Sequence, residues 1–158
     1  MNKLFIMLVL FTTAFFQNSN AQQDSATIKP EPLLSAYYNL KDALVSSNAI
    51  VAATNAATLA KVIKEAGNET VNENTSALLL NDVTAISQSK DIKLQREKFA
   101  TLSANMVELA KKVKLSAQPV YEQYCPMKKA SWLSNDKAIK NPYYGNAMLT
   151  CGSVKATL

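Results

Sequence analysis

Histidine is absent from the chain, and its absence excludes more chemistry than any other compositional feature. Without an imidazole there is no Ser–His or Cys–His nucleophile, no ready general base near neutral pH and no His-anchored zinc centre. Arginine occurs once, as Arg96. The lysines are scattered as Lys61/Lys64, Lys90/Lys93, Lys111/Lys112/Lys114 and Lys128/Lys129, so the formal charge of +5 describes an ordinary solvated surface. A nucleic-acid-binding stripe with interleaved aromatics is not expected. Only 3 of the 158 residues are glycine, and none forms a phosphate-cradling loop. Beyond residue 16 the chain has no long apolar run, so no membrane span is expected after residue 21.

The N-terminus has a short basic start, Met1-Asn2-Lys3, an apolar run over residues 4–16 broken only by Thr12 and Thr13, and a small-x-small triplet, Ser19-Asn20-Ala21. This pattern reads as a secretory signal peptide over residues 1–21, cleaved before Gln22. Its apolar run is short for a bilayer span, which weighs against the alternative of an uncleaved anchor. No cysteine stands at the cleavage point, so a lipid anchor is not expected. The expected location is periplasmic or secreted, where a pair of cysteines meets an oxidising environment. Residues 22–31 are polar, contain Pro30 and form a flexible lead-in to a single domain over residues 32–158.

From Pro32 onwards the apolar spacing is helical. Pro32 suits a first helical turn, and Leu33, Tyr37, Leu40 and Leu44 then share a face, predicting a helix from residue 32 to about residue 46. A second helix over 49–66 carries Ala52, Ala56, Leu59, Ile63 and Ala66 on one side, a small face that lets a neighbouring backbone approach closely. These two helices are either separate or one long helix kinked at Ser47. Asn74 or Thr75 is expected to cap a third helix with Leu79, Val83 and Ile86 inward. Asp91 opens a fourth, whose seam is Ile92, Phe99, Leu102, Met106, Leu109 and Val113, with Lys111, Lys112 and Lys114 gathered where the helix dipole favours cations. The predicted fold class is all-α or mainly α: an antiparallel four-helix bundle followed by an irregular C-terminal segment.

That segment, over residues 119–158, differs in composition from everything before it. Its centre reads YEQYCPMKKASWLSNDKAIKNPYYGNAMLTCG and holds both cysteines, the only tryptophan and two of the three glycines. Pro119 ends the helical run, and Pro126 favours an extended Cys125, so Tyr121, Gln123, Cys125 and Met127 are expected on one face of a strand. Ser134 or Asn135 is expected to cap a single helical turn reaching Lys140. Asn141-Pro142 starts a turn, Gly145 takes a left-handed conformation, and Met148 and Cys151 lie about one helical turn apart. Residues 152–158 are expected to pair with 120–124 as a two-stranded ribbon.

Four soft sulfur atoms, on Cys125, Met127, Met148 and Cys151, are candidates for one metal site, and thiolate with thioether ligands favours Cu(I). Zinc would need carboxylates, and only Glu122 and Asp136 are near. The alternative is a Cys125–Cys151 disulfide, contributing about 3 kcal/mol in the chain-entropy model and stapling an interaction module without metal. The two readings can coexist if reduction converts the bridge into a ligand pair. A thiol-redox enzyme is disfavoured because the cysteines are not in a Cys-x-x-Cys motif, and no nucleophile–base pair supports a hydrolase, so the protein is expected not to be an enzyme. Met106 belongs to the helical seam. Trp132, Tyr143 and Tyr144 are candidates for an exposed partner-docking patch, or else cover the end of the bundle.

The motifs YEQYCPM, SWLS, IKNPYYG and MLTCG together resemble the signature of the periplasmic domain-of-unknown-function family three-three-four-seven. Members occur alone behind a signal peptide in Gram-negative bacteria or appended to the periplasmic adaptor subunit of heavy-metal efflux pumps. The resemblance implies that Cys125, Met127, Met148 and Cys151 are signature positions, that copper or silver handling is the setting and that an efflux adaptor protein is the partner.

Overall fold

The computed structural model describes residues 31–158. The expected signal peptide and nearly all of the lead-in therefore lie outside the described residues. The elements are four helices, α1 (Glu31–Val45), α2 (Ala49–Glu65), α3 (Glu73–Gln88) and α4 (Ile92–Lys112), followed by three strands, β1 (Tyr121–Cys125), β2 (Ala130–Ser134) and β3 (Ser153–Thr157). Each helix packs on its predecessor, as short connectors dictate, and β2 lies against α4. No helix among the described residues is long and apolar enough to cross a membrane.

The helix ends follow their caps. Asn48 accepts the Val51 N–H, and Asp91 accepts the Lys93 N–H. Helices α1 and α2 are separate: Ser47 takes a left-handed conformation with φ of 56°, which no continuing helix tolerates. The cap of α3 is Asn72, which accepts the Thr75 N–H at 2.9 Å, so α3 begins before the expected Asn74 or Thr75.

Small and large side chains alternate through the core. Ala52 and Ala56 of α2 are fully buried, as their narrow face requires, and so are the large side chains of Tyr37 on α1 and of Phe99 and Met106 on α4. Tyr37 stacks on Phe99 with ring centroids 5.3 Å apart, and Tyr143 and Trp132 continue the aromatic run into the sheet.

The C-terminal segment is more regular than expected. Residues 120–124 do pair with the chain end, through β1 and β3, but β2 adds to the other edge of β1, giving an antiparallel sheet of order β2-β1-β3 in place of a two-stranded ribbon. The helical turn expected after Ser134 does not form. The Ser134 hydroxyl accepts the Asp136 N–H and the Asp136 carboxylate accepts the Ala138 N–H, while the buried Gln123 amide donates to the carbonyls of Asp136, Lys137 and Ala138. Those carbonyls thus have a partner that competes with a helical one.

Candidate thiol site

Two close backbone approaches bring the cysteines together. Gly145 has φ of 54°, and a Cβ there would stand 2.6 Å from the Ser47 hydroxyl and 2.7 Å from the Arg96 guanidinium. Arg96 donates to the carbonyls of Leu44 at 2.9 Å and Pro142 at 3.0 Å and to the Ser47 hydroxyl at 2.8 Å, pinning this loop to the α1–α2 corner. Gly152, with φ of 149°, lies against β1, where a Cβ would meet the Tyr124 carbonyl oxygen at 2.9 Å and Trp132 at 3.0 Å. Ahead of both glycines the fully buried Asn141 fixes the chain. Its side-chain N–H donates to the Cys151 carbonyl at 2.8 Å, its backbone N–H to the Leu149 carbonyl at 2.8 Å, and its side-chain oxygen accepts the Tyr143 N–H at 2.9 Å.

Cys125 Sγ and Cys151 Sγ consequently lie 4.0 Å apart, both as free thiols. A disulfide would bring them to about 2.05 Å. Cys125 is fully buried and its sulfur accepts the Lys128 N–H at 3.4 Å, whereas Cys151 is partly exposed. Burial pushes the Cys151 thiol pKa up, and the hydrogen bond to Cys125 and the charge of Cys125 add to that rise.

The other candidates are placed differently. Strand β1 stops at Cys125, so Met127 is not on its face but in the turn to β2, 62% exposed. Met148 follows the short 3-10 turn Gly145–Ala147, and its carbonyl accepts the Cys151 N–H at 3.1 Å. Trp132 and Tyr143 are buried, not a surface patch. Tyr143 packs edge-on to Trp132 with centroids 5.8 Å apart and donates its hydroxyl to the Ser131 carbonyl, so their area is spent on the core. Tyr144 is half-buried against the same cluster.

A family model matches residues 33–118, from the first turn of α1 to the residues just before β1. The chain belongs to DUF3347, a family of proteins of unknown function. The DUF3347 match covers the four helices and ends ahead of the thiol site, so the YCPM, NPYYG and MLTCG motifs lie beyond the matched residues. No curated protein and no solved structure is detectably similar to the chain.

Sequence reasoning missed Asn141 and Gln123 as the residues that shape this DUF3347 chain around its thiols. The signal for Asn141 was present in Asn141-Pro142, since an asparagine that opens a turn accepts an N–H two residues on. Nothing in the local sequence distinguishes Gln123, whose partners lie on a neighbouring loop.

Proposed function

We propose that this chain handles a soft monovalent metal ion, Cu(I) or Ag(I), in an exported compartment, without catalysing a reaction. The observation that carries this reading is the pair of free thiols, brought from separate elements to 4.0 Å without a bridge. Metal–sulfur bonds of about 2.3 Å hold two thiolates about 3.8 Å apart at a tetrahedral angle and about 4.6 Å apart at a linear one, a range that includes the observed spacing. Among the described residues no three His, Cys, Asp or Glu side chains converge, so the donor set suits a soft ion satisfied by two thiolates better than a four-ligand zinc site. The Lys128 N–H directed at Cys125 Sγ at 3.4 Å holds that sulfur in place on the side of the β1–β2 turn. The Met127 and Met148 thioethers, on the turns either side of the thiols, are the donors available to add to the pair, and an efflux adaptor is the proposed recipient, as the resemblance implies.

The second reading, a disulfide-stapled interaction module, is favoured by the same proximity together with the expected export. Anaerobic titration of the reduced chain with Cu(I) against a chromogenic chelator separates the two. One ion per chain, lost in Cys125→Ser and in Cys151→Ser, supports the metal reading. Equal affinity in the doubly substituted chain overturns it. Recovery from cells solely as a form two hydrogens lighter, with no metal, supports the staple.

A further inference from the structure

Strand β3 pairs with β1 along one side only, and among the described residues nothing pairs with its other edge. Ser153, Val154, Lys155 and Thr157 are all exposed. An unpaired edge presents a row of backbone donors and acceptors to any extended chain of suitable side chains. At its Thr157 end the strand runs into a groove of about 520 Å³ between the C-terminal end of α4 and the segment leading to β1. Buried Leu115 and Val120 give the groove an apolar floor, and Lys111, Lys112 and Lys114 line it.

The charges around this groove are unevenly satisfied. Lys111 reaches Glu108 at 3.0 Å and Glu122 at 3.6 Å, and Lys155 reaches Glu122 at 3.4 Å, so the nearby carboxylates are already engaged. Lys112 and Lys114 form no ion pair among the described residues. A second copy of the chain is a poor occupant. Antiparallel pairing of two β3 strands in full overlap sets Lys155 opposite its own copy, and like charges directly opposed destabilise a strand pair.

We propose that the free edge of β3 and the adjoining lysine groove form a docking site for an extended, acidic segment of a partner protein, which adds as a strand and places its carboxylates beside Lys112 and Lys114. Backbone hydrogen bonding supplies affinity, and the lysines select the sign of charge and the register. The site shares no side chain with the thiol pair, so this inference stands or falls independently of the metal reading.

The test uses the purified chain and a short fluorescein-labelled peptide that alternates threonine and valine and ends in paired glutamates. Fluorescence anisotropy is expected to show saturable binding, weakened about tenfold or more by Lys112→Glu with Lys114→Glu and reduced by added salt. Hydrogen exchange is expected to show new protection of the β3 amides in the complex. Both lysines are exposed, so the double reversal leaves folding intact, as circular dichroism checks. Equal binding of a peptide ending in lysines overturns the proposal, as does absence of binding or binding without β3 protection. A peptide-free dimer with β3 protected also overturns it, assigning the edge to a second copy.

Discussion

Tyr37 and Leu133 are separated by 96 positions, yet the Leu133 backbone N–H donates to the Tyr37 hydroxyl at 3.2 Å inside the core. The same hydroxyl lies 2.6 Å from the Ser103 hydroxyl, so one phenol joins α1, α4 and β2. Tyr37→Phe keeps the ring stacked on Phe99 and leaves a buried N–H without a partner. Urea unfolding is expected to register a loss of about 1–3 kcal/mol. A change within experimental error would mean that the hydroxyl does not hold the sheet to the bundle.

Burial also makes this region sensitive to alkali. Desolvation pushes the phenols of Tyr37 and Tyr143 well above their ordinary pKa, with smaller opposing contributions from hydrogen bonds, and pushes Tyr38 up to about 12. A phenol whose pKa is raised on folding is neutral in the native state when the unfolded chain has begun to ionise. Its contribution is therefore complete below about pH 10 and is lost as the pH rises above that, at up to about 1.4 kcal/mol per pH unit for each group. The urea midpoint of the parent is expected to fall above about pH 10, and the fall to be shallower in Tyr37→Phe with Tyr143→Phe. Parallel pH profiles for parent and variant would refute this origin.

How much of this was legible follows from which residues make the contacts. The four helices were visible because their apolar residues recur at helical spacing and because Asn48 and Asp91 cap in place. Strand β2 was not, since Trp132, Leu133 and Ser134 are buried in succession and show no alternation. The two cysteines could be named from chemistry alone. Their meeting could not, because it depends on Asn141 holding the Cys151 carbonyl across the intervening loop and on Gly152 lying against Tyr124 of β1, contacts that no local pattern of residues announces. Met127 was assigned to the Cys125 face by extending the strand two residues too far.

Gly152→Ala tests the close approach directly. A methyl group meets the Tyr124 carbonyl and Trp132 while the backbone stays in a conformation that side chains rarely adopt. Stability is expected to fall by about 1–3 kcal/mol. Because the displaced neighbour is Cys151, oxidation of the thiol pair by a mild disulfide reagent is expected to slow as well, followed by the mass loss on bridging. Unchanged bridging in a destabilised variant would show that the thiols meet without Gly152.

The unequal exposure of the thiols fixes the order in which they react. Cys151 is partly exposed and Cys125 is fully buried, so a bulky alkylating reagent is expected to label Cys151 first in the native chain. Peptide mapping after brief treatment, with and without urea, reads the order. Labelling of Cys125 at the same rate as Cys151 without denaturant would require opening of the β1–β2 turn in the native state.

The methionines distinguish a two-sulfur site from a four-sulfur one. Met127 is exposed in the turn, so Met127→Leu disturbs no core packing and any effect on Cu(I) reports ligation. With the thiolates as principal ligands, Met127→Leu and Met148→Leu together are expected to weaken Cu(I) binding by less than about tenfold, while Cys151→Ser weakens it by more than about a hundredfold, since a thioether is a neutral donor and a thiolate a charged one. Chelator competition on the three chains measures this. If the methionine pair costs as much as the cysteine, Met127 must fold inward from its turn to complete the site, and the ion would then be held by all four sulfurs.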